Sequence, residues 1–185
     1  MTGLKPGWAG DVLAFWFREI TPEQWFKKSD AFDAEVRDRF LAIHEGVARL
    51  TDAACLTDAA TALAAVIALD QFPRNMFRGT PRAFATDTRA LAIATAAIER
   101  GYDATFPKDE RSFFYLPFEH CEDKDTQARC VALVAALGDP DLLKWAEAHK
   151  AIIDRFGRFP HRNEILARAS TPEEREFLTQ PGSSF

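Results

Sequence analysis

Apolar residues recur at helical spacing along almost the whole chain, and this feature restricts the possible fold more than any other. Over residues 30–50, eight of the 21 side chains are charged and five apolar residues form one stripe: Val36, Phe40, Ile43, Val47 and Leu50. A period of 3.6 residues predicts amphipathic helices, whereas the alternation of period two that predicts strands is sustained nowhere. We therefore expect an all-α fold.

Prolines, glycines and capping residues indicate where the helices begin and end. Thr21 and Thr171 each precede a proline and have Gln or Glu three residues later, which is a capping-box pattern. Pro73 is expected to end or bend an alanine-rich central helix over residues 58–72, because proline has no N–H and clashes with the preceding turn. Pro117 predicts a kink for the same reason. The other predicted helices cover residues 11–20, 81–100, 109–121, 125–137, 141–156 and 172–179.

Length and composition favour one folded domain over residues 1–185. The chain is 47% hydrophobic and has only 9 Gly and 10 Pro, which excludes intrinsic disorder and a collagen-like repeat. Its formal net charge of −5 provides no general attraction for nucleic acid or an anionic membrane. We therefore expect neither nucleic acid nor a membrane as a partner.

The sequence also gives an expectation for where in the cell the protein is located. Three cysteines cannot all pair within one chain and no CxxC pair is present, so reduced thiols in the cytoplasm are expected. The first residues lack the form of a signal peptide. The longest purely apolar run, residues 63–69, is too short to span a bilayer.

The first candidate site surrounds the end of the central helix. Asp70 shares a stripe with Leu63 and Val66, so its carboxylate needs a partner or must lose its charge. Arg74 and Arg78 lie four residues apart and can converge on that carboxylate or on a bound anion if the segment is helical. The alternative is that Asp70 and Arg74 only fix the chain after Pro73. The candidate residues here are Asp70, Gln71, Arg74, Asn75, Arg78 and, further along, Asp87.

The second candidate site is a loop between Gly157 and Pro160 that is rich in arginine and histidine. Guanidinium and imidazole groups suit the recognition of a carboxylate or a phosphate. The alternative is a solvated basic loop, and Asn163 can equally cap a helix that begins at Glu164. The candidate residues are Arg158, His161, Arg162 and Asn163.

The third candidate is His120, which follows Leu116 by four residues and is expected on the packed side of its helix. A histidine there is either a core residue or a functional one. His149 lies on an apolar stripe of its own helix, but without HExxH or paired cysteines we expect no metal site. No GxSxG elbow or phosphate-binding glycine loop is present, so no cofactor is expected. We further expect Trp16 to line a cleft and His44 to be partly exposed.

A family resemblance emerges from these motifs in their order. They are FWF at 15–17, WF at 25–26, LDQFPRNMFRG at 69–79, FATD at 84–87, HCEDKDTQ at 120–127 and FGRFPHRN at 156–163, followed by STPEE. Together they resemble the bacterial family catalogued as domain of unknown function 924, over residues 12–178. The resemblance implies a tetratricopeptide-like helical fold with no established activity, and the candidate residues above are the matching positions. The chain has Ala167-Arg168 where the family pattern predicts Gly-Arg.

These residues lead to three functional hypotheses. The first is a helical protein that binds a small anionic metabolite, or an acidic peptide end, in a cleft lined by Arg74, Arg78, Arg158 and Arg162. The second is a hydrolase or lyase with His120 or His161 as general base. The third is a protein-interaction scaffold. The sequence leaves the oligomeric state open.

Overall fold

The fold is described from a computed structural model, which describes residues 4–184. All regular elements of this part of the chain are helices, so the expected all-α class is confirmed. The Cα positions group into two compact units, one of residues 1–78 and 82–117 and the other of residues 79–81 and 118–185. Whether the helices repeat as in tetratricopeptide proteins, and whether the chain is one domain, stay predictions.

The helices of the first unit surround one central helix. They are α1 (Trp8–Ala14), a π-helix (Phe15–Glu19), α2 (Pro22–Phe26), α3 (Asp30–Val47), α4 (Asp52–Cys55), α5 (Ala59–Met76), α6 (Asp87–Glu99) and α7 (Lys108–Ser112), with 3₁₀ turns at Pro81–Phe84 and Asp103–Thr105. Helix α5 packs against α1, α3 and α6 and is buried on nearly every side. This agrees with its alanine-rich, apolar sequence.

Helix α8 spans the boundary of the two units, and the second unit has three further α-helices. The bounds are α8 (Leu116–Glu119), α9 (Lys124–Ala135), α10 (Pro140–Phe156) and α11 (Pro172–Phe177), with a 3₁₀ turn at Pro160–Arg162. Helices α9 and α10 pack against each other. A small apolar core forms where α10 ends, around Ile152, Ile153 and Phe159.

Pro73 does not end the central helix, because α5 continues to Met76. This part of the prediction is wrong. Proline at this position leaves the carbonyl oxygen of Leu69 without its usual helical donor. The hydroxyl of Thr86 donates to that oxygen at 2.5 Å and takes the place of the missing N–H. The cost of an internal proline is thus reduced by a donor thirteen residues downstream of it.

Three other predicted boundaries change. The segment predicted as one helix over 11–20 starts at Trp8 and changes to π-helical geometry from Phe15. The helix expected from residue 81 begins at Asp87 after a 3₁₀ turn. The helix expected over 109–121 stops at Ser112 and restarts as α8, with Pro117 near its start, where no N–H is needed.

The loop after Pro160 contains no helix beginning at Glu164, so Asn163 is not an N-cap. Residues 163–168 instead form a Schellman motif, in which Asn163 O accepts from Arg168 N at 2.7 Å and Glu164 O accepts from Ala167 N at 3.1 Å. Ala167 has a φ of +54° and is the one non-glycine residue with positive φ in the part of the chain that the structure describes. The expectation of glycine here therefore has a geometric basis.

Two expected exposures are also wrong. Trp16 is fully buried among aromatic rings and lines no cleft. His44 is buried too, and its Nδ1 donates to the carbonyl oxygen of Ala68 in α5 at 2.9 Å. Within residues 4–184 no helix is long and apolar enough to cross a membrane.

Candidate functional site

Asp70 lies at the centre of a buried polar network in the first unit. Its carboxylate is fully buried and accepts from the Gln71 amide at 2.6 Å, with Arg74 Nη1 at 3.2 Å. Arg74 also forms two hydrogen bonds to the Asp87 carboxylate, at 2.8 and 2.9 Å. Four of the candidate residues are therefore brought together, and Asp87 fixes the start of α6 against the end of α5.

Arg78 and Asn75 belong to a different ion pair. Arg78 binds both oxygens of Asp33, at 2.6 and 2.8 Å, and the amide of Asn75 donates to the same carboxylate at 2.8 Å. These donors outweigh burial and hold the pKa of Asp33 below its ordinary value. Arg74 and Arg78 thus do not converge on one carboxylate. The alternative that Asp70 and Arg74 only fix the chain after Pro73 agrees with this geometry.

The arginine-rich loop of the second unit is held in place by two glutamates. Arg158 binds Glu174 through two hydrogen bonds, at 2.7 and 2.8 Å, and Asn163 donates to the same carboxylate at 3.3 Å. The Arg158 bonds lower the pKa of Glu174 to about 2. Since Phe159 is fully buried, the loop is docked rather than solvated.

The second glutamate, Glu122, lies in the HCEDKDTQ motif. Both of its oxygens accept from Arg168, at 2.6 and 2.9 Å, and one also accepts from the main-chain N–H of Phe159 at 2.8 Å. Arg168 also donates to the side-chain oxygen of Asn163 at 3.0 Å. The candidate residues did not include Glu122, Glu174 and Arg168. Each of these three nevertheless lies in or beside one of the motifs that carry the family resemblance.

Three histidines and one arginine gather around the Phe159 ring and its neighbours. We call the set of His120, His149, His161 and Arg162 the histidine–arginine cluster. Phe159 lies 5.7 Å from the His149 ring, 5.6 Å from the His161 ring and 4.5 Å from the Arg162 guanidinium carbon.

Two further contacts connect His120 to the other members of the histidine–arginine cluster. The rings of His120 and His149 are 6.4 Å apart, and Arg162 Nη1 donates to the main-chain oxygen of His120 at 3.1 Å. His120 and His161 are half-buried, whereas His149 and Arg162 are buried. Three residues from the candidate list therefore lie together here, and His149, which was not on that list, joins them.

His149 reports on the electrostatics of the cluster. Burial lowers its pKa to about 3, and the positive charges of His120, Arg162 and His161 act in the same direction. Its Nδ1 donates to the Trp145 carbonyl oxygen at 2.9 Å, with Glu119 Oε1 at 3.2 Å. His149 is therefore neutral at pH 7, with its lone pair on Nε2.

The described residues give little support for a metal site or a reactive cysteine. The described chain holds no group of three or more His, Cys, Asp or Glu side chains arranged to bind a metal ion. Cys55, Cys121 and Cys130 are free thiols, and burial raises the pKa of each.

One known protein family matches most of the chain. The family described as bacterial protein of unknown function, DUF924, matches residues 12–182. The chain belongs to this family. A solved structure of a protein of unknown function from Agrobacterium tumefaciens superposes with a TM-score of 0.87 at 48% identity. The match covers 92% of this chain and 96% of that one. Among functionally curated proteins, none matches this DUF924 chain.

Proposed function

We propose that this DUF924 protein binds a small anion, a carboxylate or phosphate compound, free or at a peptide end, at the histidine–arginine cluster. The observation that carries the proposal is the convergence of the half-buried His161 imidazole and the Arg162 guanidinium on Phe159, with the main-chain oxygen of His120 bonded to Arg162, in an acidic protein. The half-buried rings of His120 and His161 are the groups that a ligand meets first. Imidazole and guanidinium together offer charge-assisted hydrogen bonds to an anion.

The other arginines are less suited to this role. Arg74, Arg78 and Arg158 each bind a carboxylate of the chain through two hydrogen bonds. An added anion would have to compete with an internal partner that is already oriented. We therefore move the proposed ligand contact from the arginine-lined cleft to the cluster.

Glu119 opposes anion binding because its carboxylate lies 3.2 Å from Nδ1 of His149. Binding is then expected to depend on protonation of the half-buried imidazoles of His120 and His161, since histidine ordinarily gains its charge near pH 6.5. We expect the affinity for a dianion to rise as the pH falls from 8 to 6.

The test is thermal unfolding with sulfate or succinate, against chloride at matched ionic strength, at pH 6 and pH 8. Sulfate keeps its charge over this range, so a pH effect on its binding belongs to the protein. His120→Gln and His161→Gln should each remove at least half of the stabilisation seen at pH 6. Arg82→Gln, which removes a charge from a side chain 61% exposed in the first unit, is the control and should retain it. Equal stabilisation of all variants contradicts the proposal.

The enzyme hypothesis stays a second proposal, and it does not rest on His149. The Trp145 and Glu119 contacts fix the tautomer of His149, as orienting groups do for an imidazole in acid–base chemistry. Because its low pKa makes His149 a weak base, His120 or His161 remains the proposed general base. Loss of turnover with retained anion binding in one His→Gln variant would distinguish an enzyme from a binder. The scaffold hypothesis and the cytoplasmic location stay predictions.

A further inference from the structure

A cavity that is open to solvent lies in the first unit beside α2 and the start of α3. It has a volume of about 230 Å³ and is lined by Gln24, Lys27, Ser29 and Phe32. This is somewhat below the range of about 300–1,000 Å³ typical of sites for drug-sized ligands. The cavity therefore has room for a small molecule only.

The side chains of Gln24 and Ser29 can donate hydrogen bonds in this cavity, because their oxygens already accept from main-chain N–H groups at the starts of helices. Gln24 Oε1 accepts from the Thr21 N–H at 2.9 Å, which leaves the amide NH₂ for other partners. Ser29 Oγ accepts from the Phe32 N–H at 3.3 Å, and its own hydroxyl hydrogen is still available to donate. Lys27 contributes an ammonium group, which can only donate.

Lys27 is exposed and, among residues 4–184, has no carboxylate within ion-pair distance. The adjacent Lys28 differs, since it does not line the cavity and its charge acts on Asp33. The cavity thus combines one cation and two neutral donors with the small accessible part of Phe32, which is only 5% exposed. This is complementary to a molecule with an anionic head and a short apolar body.

We propose that this cavity is a binding site for a small carboxylate with an apolar body. The carboxylate binds Lys27, Gln24 and Ser29, and the body packs against Phe32. This site is independent of the histidine–arginine cluster.

An additional observation concerns Trp16, whose ring centroid lies 6.4 Å from that of Phe32. Its Nε1 is buried and has no hydrogen-bond partner in the described chain. An indole N–H left in this state is destabilising. Its NMR resonance provides a reporter close to Phe32 for any change in the cavity.

The experiment is a titration of the ¹⁵N-labelled protein with phenylacetate, followed by ¹H–¹⁵N correlation spectra. We expect saturable shifts of the Gln24 side-chain amide, the Ser29 N–H and the Trp16 indole N–H. Phenylacetamide, which has the same shape without the charge, should bind at least about threefold more weakly, as expected for loss of a partly exposed ion pair.

Lys27→Gln should weaken phenylacetate binding by a similar factor, and Lys28→Gln is the matched control that should leave it unchanged. Both side chains are exposed, so both variants should fold. Three outcomes overturn the proposal: no saturable shift at these groups, equal weakening in both variants, or shifts at His120 and His161 instead. The last outcome would leave the anion site of the histidine–arginine cluster supported.

Discussion

Ala167 provides the sharpest test of how the loop after Pro160 is stabilised, because its backbone is left-handed in a Schellman motif. For a residue with a Cβ atom this conformation costs about 1–2 kcal/mol. Glycine avoids that cost but loses roughly 0.4–1 kcal/mol more through the entropy of the unfolded chain. Ala167 is exposed, so removing its methyl group sacrifices little packing. We expect Ala167→Gly to stabilise the protein by about 0.5–1 kcal/mol.

The assay is urea unfolding followed by tryptophan fluorescence and circular dichroism. At this chain length, such a gain corresponds to a rise in Tm of about 2 °C. The matched control is Ala169→Gly, two residues further along, where the alanine is exposed and its φ is not left-handed. That substitution carries only the entropic cost and should destabilise by about 0.4–1 kcal/mol. If the two variants are equally stable, the geometric reasoning about Ala167 is refuted.

Three further predictions follow from single contacts. Thr86→Val should destabilise by about 1–3 kcal/mol in urea unfolding, because the Leu69 carbonyl loses its donor, whereas Thr86→Ser should be close to wild type. His149 is neutral in the folded protein and gains a proton below pH 6.5 when unfolded, so stability is complete above pH 6.5 and falls by up to about 1.4 kcal/mol per pH unit below it. His149→Gln should flatten that fall between pH 6.5 and pH 5, and an unchanged slope would contradict the assignment. Glu174→Gln should release the loop around Arg158, seen as faster amide hydrogen exchange at Phe159, while the exposed Glu173→Gln should not.

Local sequence rules located most of the helices. The capping boxes at Thr21 and Thr171 appear as predicted, since a cap depends on residues only three positions apart. Helix α5 extends past Pro73 because its missing donor is supplied by Thr86, a tertiary contact that no local rule contains. The burial of His44 likewise depends on the carbonyl of Ala68 in another helix.

The candidate site was only partly accessible from sequence. A buried carboxylate at Asp70 with a nearby arginine follows from helical spacing, and the structure pairs it with Arg74. The partners Asp33 and Glu174 of Arg78 and Arg158 come from distant segments, 45 and 16 residues away. Charge counting along the chain therefore could not identify the arginines that already bind a carboxylate of the chain. His149 was recognisable as an inward-facing histidine, but its neighbours became known only from the folded chain.

The bond between Thr86 and the Leu69 carbonyl makes the effects of substitutions at positions 73 and 86 depend on each other. A hydroxyl at position 86 is needed only while position 73 is proline, because any other residue there would supply its own amide to the helix. Relatives that have lost this proline should tolerate valine or alanine at the later position, and relatives that keep it should not. In a Pro73→Ala background, Thr86→Val should lower the free energy of unfolding by less than it does in the wild-type protein.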